Sequence, residues 1–473
     1  MLGTYLLILL FVILIILVIM TYYIRSVKDE HNKSIEMDLS PVDAVKDSLS
    51  GSQSFIYAGI VFTAVGIIAS VYFMVKGTQW EMHLMEWMNI IVRLMHITFG
   101  IAWIGASFYF VFLENSLNRK KDLRDELAGN LWAVHGGGFY YVEKYKTAPA
   151  KIPKDLHWFK YEAYFTWVSG FSLLFVVYYF NASALLIDKN ILDITPLTGI
   201  GIGVGSFVAG WIVYDLLCKS PIGKKNYLFT VTGVLIAIGF AYLYTKVFSA
   251  RAAYIHFGAM LGSIMVANVF FVIIPSQKAM VKAAIENKPL NSELGKNAGL
   301  RSLHNNYFTL PVLFVMISNH FPSTFGYKYP WLILALFSIG AAGVKHYLNL
   351  KEKGQLSIWV MPISALILLA AAFISAPAKY PGECKETVSI NQVTEIVNKR
   401  CISCHSSKPT DDFYKVAPNG VMFDSPEVIA AKKDLILQRV VVTKTMPLNN
   451  KTNISQEERD LIGCWIMQGG SLK

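Results

Sequence analysis

Ten apolar runs, each close to the length that crosses a hydrocarbon core of about 30 Å, constrain this chain more than any other feature. They lie at 4–24, 54–76, 87–113, 161–180, 196–218, 227–248, 252–275, 301–321, 330–350 and 356–376. Inside a bilayer only helices and closed barrels satisfy their own backbone hydrogen bonds. Unbroken apolar runs of this length, without strand-like alternation, read as helices. Composition agrees: 54% of residues are hydrophobic and 16% charged, against about 25% charged in a soluble domain. The expected fold class is all-α, a polytopic membrane domain of about ten spans, and the lipid bilayer is its first partner.

Cytoplasmic loops collect Lys and Arg, which tests the span count. We read residues 1–30 as an uncleaved anchor helix with its N-terminus outside, since no basic residue precedes the first run and Arg25 and Lys28 follow it. The inner loops are then 25–53, 114–160, 219–226, 276–300 and 351–355. They hold basic residues such as Arg119, Lys120, Lys121, Arg124, Lys144 and Lys146, whereas the outer loops hold Lys189, Arg251 and Lys328. The net charge of +11 is therefore membrane topology, and no nucleic-acid partner is expected. The same alternation puts everything after residue 376 outside the cytoplasm, on the side of the N-terminus.

The membrane domain is expected over 54–376. A Pro/Gly linker, Pro377 to Gly382, then leads into a polar tail, one small domain over 377–473. There Cys401-Ile402-Ser403-Cys404-His405 is the attachment pattern of a c-type haem. Two thiols one helical turn apart can add to the two vinyl groups, and His405 places an imidazole on the iron. No second Cys/His pair lies nearby to complete a zinc tetrahedron. One covalent haem c in a class I-like cytochrome c domain is the expectation. For the sixth iron ligand a Met thioether suits an electron carrier; Met446, before Pro447 in a polar loop, is preferred to Met422, which looks like packing. Ser455 and Glu458 form a capping box for a final helix that ends at Gly469 and Gly470. Cys384 and Cys464 are either a disulfide between the two ends of this domain or two unrelated thiols. Cys218 reads as free.

Ionisable side chains within spans are costly and usually face an interior site. By depth, His96, His256 and His320 fall towards the outer face and His304 and His346 towards the inner face, with His135 in the long inner loop. Arg93 and Arg301 stand three residues before His96 and His304 and share a helix face with them. Each could hold a haem propionate beside an imidazole-ligated iron, so a haem b is a candidate, with His96, His256, His320, His346, Arg93 and Arg301 around it. Hydrogen bonding between helices is the alternative for all of them. His304-Asn305-Asn306-Tyr307 is a dense polar group whose amide edges suit a planar heterocycle, or else an interhelical hydrogen-bond network.

Several longer motifs resemble the membrane-bound, cytochrome c-linked urate hydroxylases of bacterial purine catabolism. They are Glu86-Trp87-Met88-Asn89 with Arg93 and His96, the run from Gly100 to Phe110, and Trp132-Ala133-Val134-His135-Gly136-Gly137-Gly138-Phe139-Tyr140. His304 to Pro311, Gly420 to Asp424 and Val441 to Leu448 add to them. The resemblance covers roughly 54–473; the first run departs from the family's usual start. It implies an oxidoreductase of the bacterial inner membrane, with its N-terminus and cytochrome domain periplasmic. Urate would be oxidised to 5-hydroxyisourate with oxygen from water, and electrons would pass through haem c to a respiratory cytochrome or oxidase without forming peroxide. His135, His304, Asn305 and Asn306 are the candidate catalytic residues, and a haem b would carry electrons across the bilayer. The competing readings are a membrane-anchored electron-transfer cytochrome and a dehydrogenase subunit for quinol or another substrate. A terminal oxidase would need adjacent histidines, and the chain has none.

Overall fold

The computed structural model describes residues 73–472 apart from 77, 121–122, 150, 154–155, 356, 377–383, 385 and 413. The expected anchor, the run at 4–24, nearly all of that at 54–76, and the linker lie outside the described residues. The other eight apolar runs are all helical. They form α1 (Gln79–Ser116), α2 (Tyr161–Leu174), α3 (Pro196–Lys219), α4 (Asn226–Val247) and α5 (Ala250–Ala267). The last continues through a π-helical stretch, Asn268–Ile273, into α6 (Ile274–Ile285), and α7 (Ser292–Ser318), α8 (Pro330–Glu352) and α9 (Val360–Ile374) follow. The tail adds α10 (Ile390–Arg400), α11 (Pro426–Ala431) and α12 (Gln456–Met467).

Among the described residues five helices are long and apolar enough to cross a membrane: His83–Ser116, Pro196–Lys219, Asn226–Val247, Ala250–Ile285 and Pro330–Glu352. The remaining three runs fall short for visible reasons. α2 gives way to a π-helical turn at Phe175–Tyr179. α7 carries Arg301, His304, Asn305 and Asn306 and has Pro311 inside it. α9 has only 15 residues.

The all-α expectation needs one correction, because the segment read as an inner loop contains a β-hairpin. Strands β1 (Leu127–His135) and β2 (Gly138–Tyr145) pair antiparallel, with Trp132 opposite Tyr141 and Val134 opposite Phe139. Gly136 and Gly137 make the two-residue turn at φ +57° and +79°, the left-handed pair that matches the twist of the flanking strands. The base is tied to the segment just after α1: Asn118 and Asn130 exchange backbone hydrogen bonds of 2.7 and 3.1 Å.

The chain divides into two compact units. One takes in the residues up to Tyr109, Leu117–Phe180 and Ile274–Lys296; the other takes in Phe110–Ser116, Asn181–Ile273 and Asn297–Lys473. In the second unit small residues bring helices close, as van der Waals packing in a bilayer requires. A Cβ on Gly258 of α5 would stand 2.5 Å from Val315 Cγ1 on α7, and one on Gly210 of α3 would stand 2.7 Å from Met260 Cγ on α5.

The tail has its own apolar core, centred on Val393, Val397, Ile429, Ile462 and Trp465. α12 starts with the expected capping box of Ser455 and Glu458, and α10 with a second one, Ser389 and Gln392. Arg400 at the end of α10 grips the Glu458 carboxylate in the first turn of α12 with three hydrogen bonds of 2.9–3.1 Å. Cys384 and Cys464 are joined as a disulfide, with Cα atoms 5.6 Å apart.

Candidate functional site

The polar residues of α7 gather a buried cluster in the second unit. Arg301, 1% exposed, donates from Nη2 to Asp215 Oδ1 at 2.6 Å and from Nη1 to Asn268 Oδ1 at 3.3 Å. Asp215 lies near the end of α3, where Lys219 pairs with its other oxygen at 2.6 Å. The guanidinium also lies over the rings of Tyr214 and Trp211, at 5.0 and 5.8 Å, an arrangement that favours a cation. Asn268 opens the π-helical stretch after α5; its amide donates to Asn305 Oδ1 at 2.8 Å and to the Tyr214 hydroxyl at 3.2 Å. Asn305 in turn donates to the Met265 carbonyl at 2.9 Å.

His304 completes the group. Its Nδ1 is 2.8 Å from the Tyr214 hydroxyl, and its ring stacks on Phe229 with centroids 4.6 Å apart and planes 12° apart. One donor in the cluster stays unmatched: the buried Nε of Arg301 has no hydrogen-bond partner among the described residues. Buried donors are nearly always satisfied, so an orphan on a guanidinium points to an acceptor from outside the described residues. The cluster thus offers a fixed cation, amide edges, aromatic faces and an imidazole–phenol pair able to pass a proton. That set suits a planar, anionic ring.

The other candidates fall elsewhere. Asn306, next to Asn305 but about 100° round the helix, accepts from Asn349 of α8 at 3.1 Å. His135 is exposed at the end of β1 beside the hairpin turn. Arg93 is exposed and donates to Asn89 at 3.1 Å. His96 directs Nδ1 to the Thr166 carbonyl of α2 at 3.0 Å, and Gly170 makes room for it, since a Cβ there would lie 2.7 Å from His96 Cε1. His256 is fully buried among Phe207, Tyr244 and Phe248, with Nδ1 on the Ala252 carbonyl at 2.9 Å. His346 meets the Tyr307 hydroxyl at 2.7 Å. His320 lies in the turn after α7, past the helix end. Sequence reasoning missed Tyr214, Asp215, Asn268 and Phe229. A carboxylate within the apolar run of α3 was the available signal.

In the tail, Cys401 and Cys404 are free thiols, and Cys401, Ile402 and Met446 pack against the apolar core. His405 Nδ1 is held by the Val421 carbonyl at 3.0 Å, the outer contact that fixes the tautomer and leaves Nε2 for a metal. Met422, expected to pack, is 40% exposed, and its neighbour Phe423 is the buried residue at 8%.

The family model described as urate oxidase N-terminal matches residues 82–376. The chain belongs to that family. The matched region takes in α3 to α7, and with them every residue of the buried cluster; the tail lies beyond it. No curated protein and no solved structure matches the chain. Membership of the urate oxidase N-terminal family supports an oxidoreductase acting on urate, and with the apolar helices it describes a urate-oxidase-related protein with segments able to cross a membrane.

Proposed function

We propose that the chain oxidises urate to 5-hydroxyisourate in its helical region and passes the electrons to a c-type haem in its tail. The balance is urate plus water giving 5-hydroxyisourate, two protons and two electrons. The orphaned Nε of Arg301, buried within the matched region, is the observation that carries this reading. Arg301 holds the urate anion, the Asn305 amide is the candidate for its polar edge, and His304 takes the proton released by the attacking water, its ring positioned at Nδ1 by the Tyr214 hydroxyl. His135, on the hairpin, belongs to the other unit and takes no part in this cluster.

Cys401 and Cys404 would hold the haem by thioethers, with His405 and Met446 on its iron; the free thiols, the oriented His405 and the apolar wall fit that group. When bound it accepts and passes on one electron at a time. For a haem b, the Nδ1 contact of His256 with the Ala252 carbonyl in the second unit fits a ligating imidazole, as does, in the first unit, that of His96 with the Thr166 carbonyl. His320 and His346 are further candidates in the unit of His256, and Arg93 in that of His96. The carboxylate that Arg301 meets is Asp215 rather than a propionate. The Cys384–Cys464 disulfide supports a tail in an oxidising compartment, in keeping with a periplasmic domain on a bacterial inner membrane and a respiratory acceptor there.

The test is urate added to membranes containing the protein. Loss of urate absorbance should accompany reduction of the c-type haem, with no peroxide formed. Peroxide with the haem left oxidised would refute electron transfer to the tail. Undiminished urate loss in Arg301→Met would remove the proposed site.

A further inference from the structure

The loop that carries Met446 is seated on the helical part of the second unit at both ends. At one end Gly326, which caps the short helix Pro322–Phe325, abuts Thr443. A Cβ on Gly326 would stand 2.9 Å from the Thr443 carbonyl oxygen and 3.1 Å from its Cβ. At the other end Asn449 donates from Nδ2 to the carbonyls of Ala184 and Ile187, at 2.9 and 2.7 Å. Asn190 returns a hydrogen bond to the Asn449 carbonyl at 3.3 Å.

The two carbonyls lie at the end of the π-helical turn Ala182–Leu186, where helix acceptors run out of internal donors. One amide group thus satisfies a helix terminus in the body from a loop of the tail. The backbone at Asn449 is adapted to this, with φ +51°, a left-handed conformation that Asn tolerates better than most residues. Within the same loop Met446 is held from the tail side. Its N–H donates to the Arg439 carbonyl at 3.0 Å, and its carbonyl accepts from the buried Arg459 at 2.8 Å. The residue expected on the iron is therefore braced on one side by the tail core, while its loop is bolted to the helices on the other.

We infer that residues 443–450 form the face by which electrons enter the tail, with Asn449 as the positioning residue that keeps this face on the helical body. The inference rests on the haem reading above. The two electrons from urate cross one at a time; each reduces a ferric iron to ferrous, and an external one-electron acceptor reoxidises it. With Thr443 and Asn449 seated on the helices and only Lys444 of residues 443–450 exposed, that acceptor has to approach another face of the tail. An Asn at this point does what a surface loop has no need to do: it spends both its amide hydrogens on the body.

Two variants of the whole haem-loaded protein test this. Asn449→Gly keeps the left-handed backbone and removes the amide. Asn449→Asp keeps the shape but sets a carboxylate against two carbonyls. Hydrogen exchange at 184–190 and 443–450 should quicken about tenfold in the first variant, and more in the second, from the loss of two hydrogen bonds. Urate-driven reduction of the haem should slow by a similar factor. The haem absorption, its midpoint potential and its reduction by ascorbate should stay as in the parent.

Unchanged exchange in both variants would overturn the docking. Faster exchange with an unchanged urate-driven rate would overturn the entry route. A shifted midpoint potential would mean that Asn449 acts on the iron site itself, which overturns the positioning role. A parent protein without covalent haem would sink the reading beneath the inference, and the exchange data would still decide whether the loop is docked.

Discussion

Replacing Asp215 by Leu leaves the Arg301 guanidinium buried without its counter-ion. Removing one partner of a buried pair costs about 3–5 kcal/mol. Here the lower end applies, because the Asp215 side chain keeps 15% exposure and Arg301 retains Asn268 and the rings of Trp211 and Tyr214. Lys219 adds little, its side chain being 70% exposed. At roughly 2–4 °C per kcal/mol, a loss of about 3 kcal/mol lowers the thermal midpoint of the detergent-solubilised protein by roughly 6–12 °C. The double variant Asp215→Leu, Arg301→Met removes both charges together, and such replacements are often neutral or stabilising. Its stability should return to within about 1 kcal/mol of the parent, while the proposed urate oxidation stays lost. Differential scanning fluorimetry on the four proteins of this cycle reads the coupling directly. A single Asp215→Leu variant as stable as the parent would show that Arg301 does not depend on Asp215 for its charge. A double variant that still oxidises urate would show that the cluster is structural only.

Acid should unfold the tail through Glu458. Burial opposes its charge, but the hydrogen bonds from Arg400 and from the Ser455 N–H outweigh burial and hold the carboxyl below the usual range. A depressed carboxyl contributes stability that is present above the unfolded value of about 4.3 and is lost as pH falls through the lower folded value. The tail's unfolding midpoint, followed by Trp465 fluorescence, should therefore hold steady from neutral pH and drop steeply below about pH 4. Glu458→Gln should cost about 1–2 kcal/mol at neutral pH and flatten the drop; an unaltered pH profile would count against it. Gly258→Ala should destabilise the second unit by about 1–3 kcal/mol through overpacking on Val315, and Val315→Ala should recover most of the loss in the same background. No recovery in that pair would mean that the two helices do not meet at this point.

The helices were legible because a bilayer leaves few options. A run of about 20 apolar residues can satisfy its backbone only within itself, and each of the eight described runs is helical. The hairpin was written just as clearly, in Gly136-Gly137 flanked by Trp132 and Val134 on one side and Phe139 and Tyr141 on the other. Counting loop charges gave no reason to look for it. Arg301, His304 and Asn305 stood out as polar residues in an apolar run, and the structure gathers them. Asp215 did not, because it sits beside Lys219 at the end of its run and reads as an interface residue. Asn268 was illegible for a different reason: its direction is set where the helix widens to a π-helical register, which periodicity at 3.6 residues does not describe. Asn305 and Asn306 read as one motif, yet a helix turns adjacent residues about 100° apart, and each bonds to a different neighbour.

The disulfide of the tail also poses a problem of choice. Its halves are 80 residues apart, and between them lie Cys401 and Cys404, about 17 and 20 residues from Cys384. Four thiols allow three pairings, and closing the shorter loop is favoured by about 1.4 kcal/mol, roughly a factor of ten. As the chain emerges, Cys384 meets both wrong partners before Cys464 exists. Contact between α10 and α12, made through Arg400 and Glu458, is what can reverse that preference, by bringing the distant thiol into range once the tail has folded. Oxidation that outruns this contact would consume a thiol that the proposed haem attachment needs, so under that proposal the order of folding and oxidation decides whether a given molecule can be loaded.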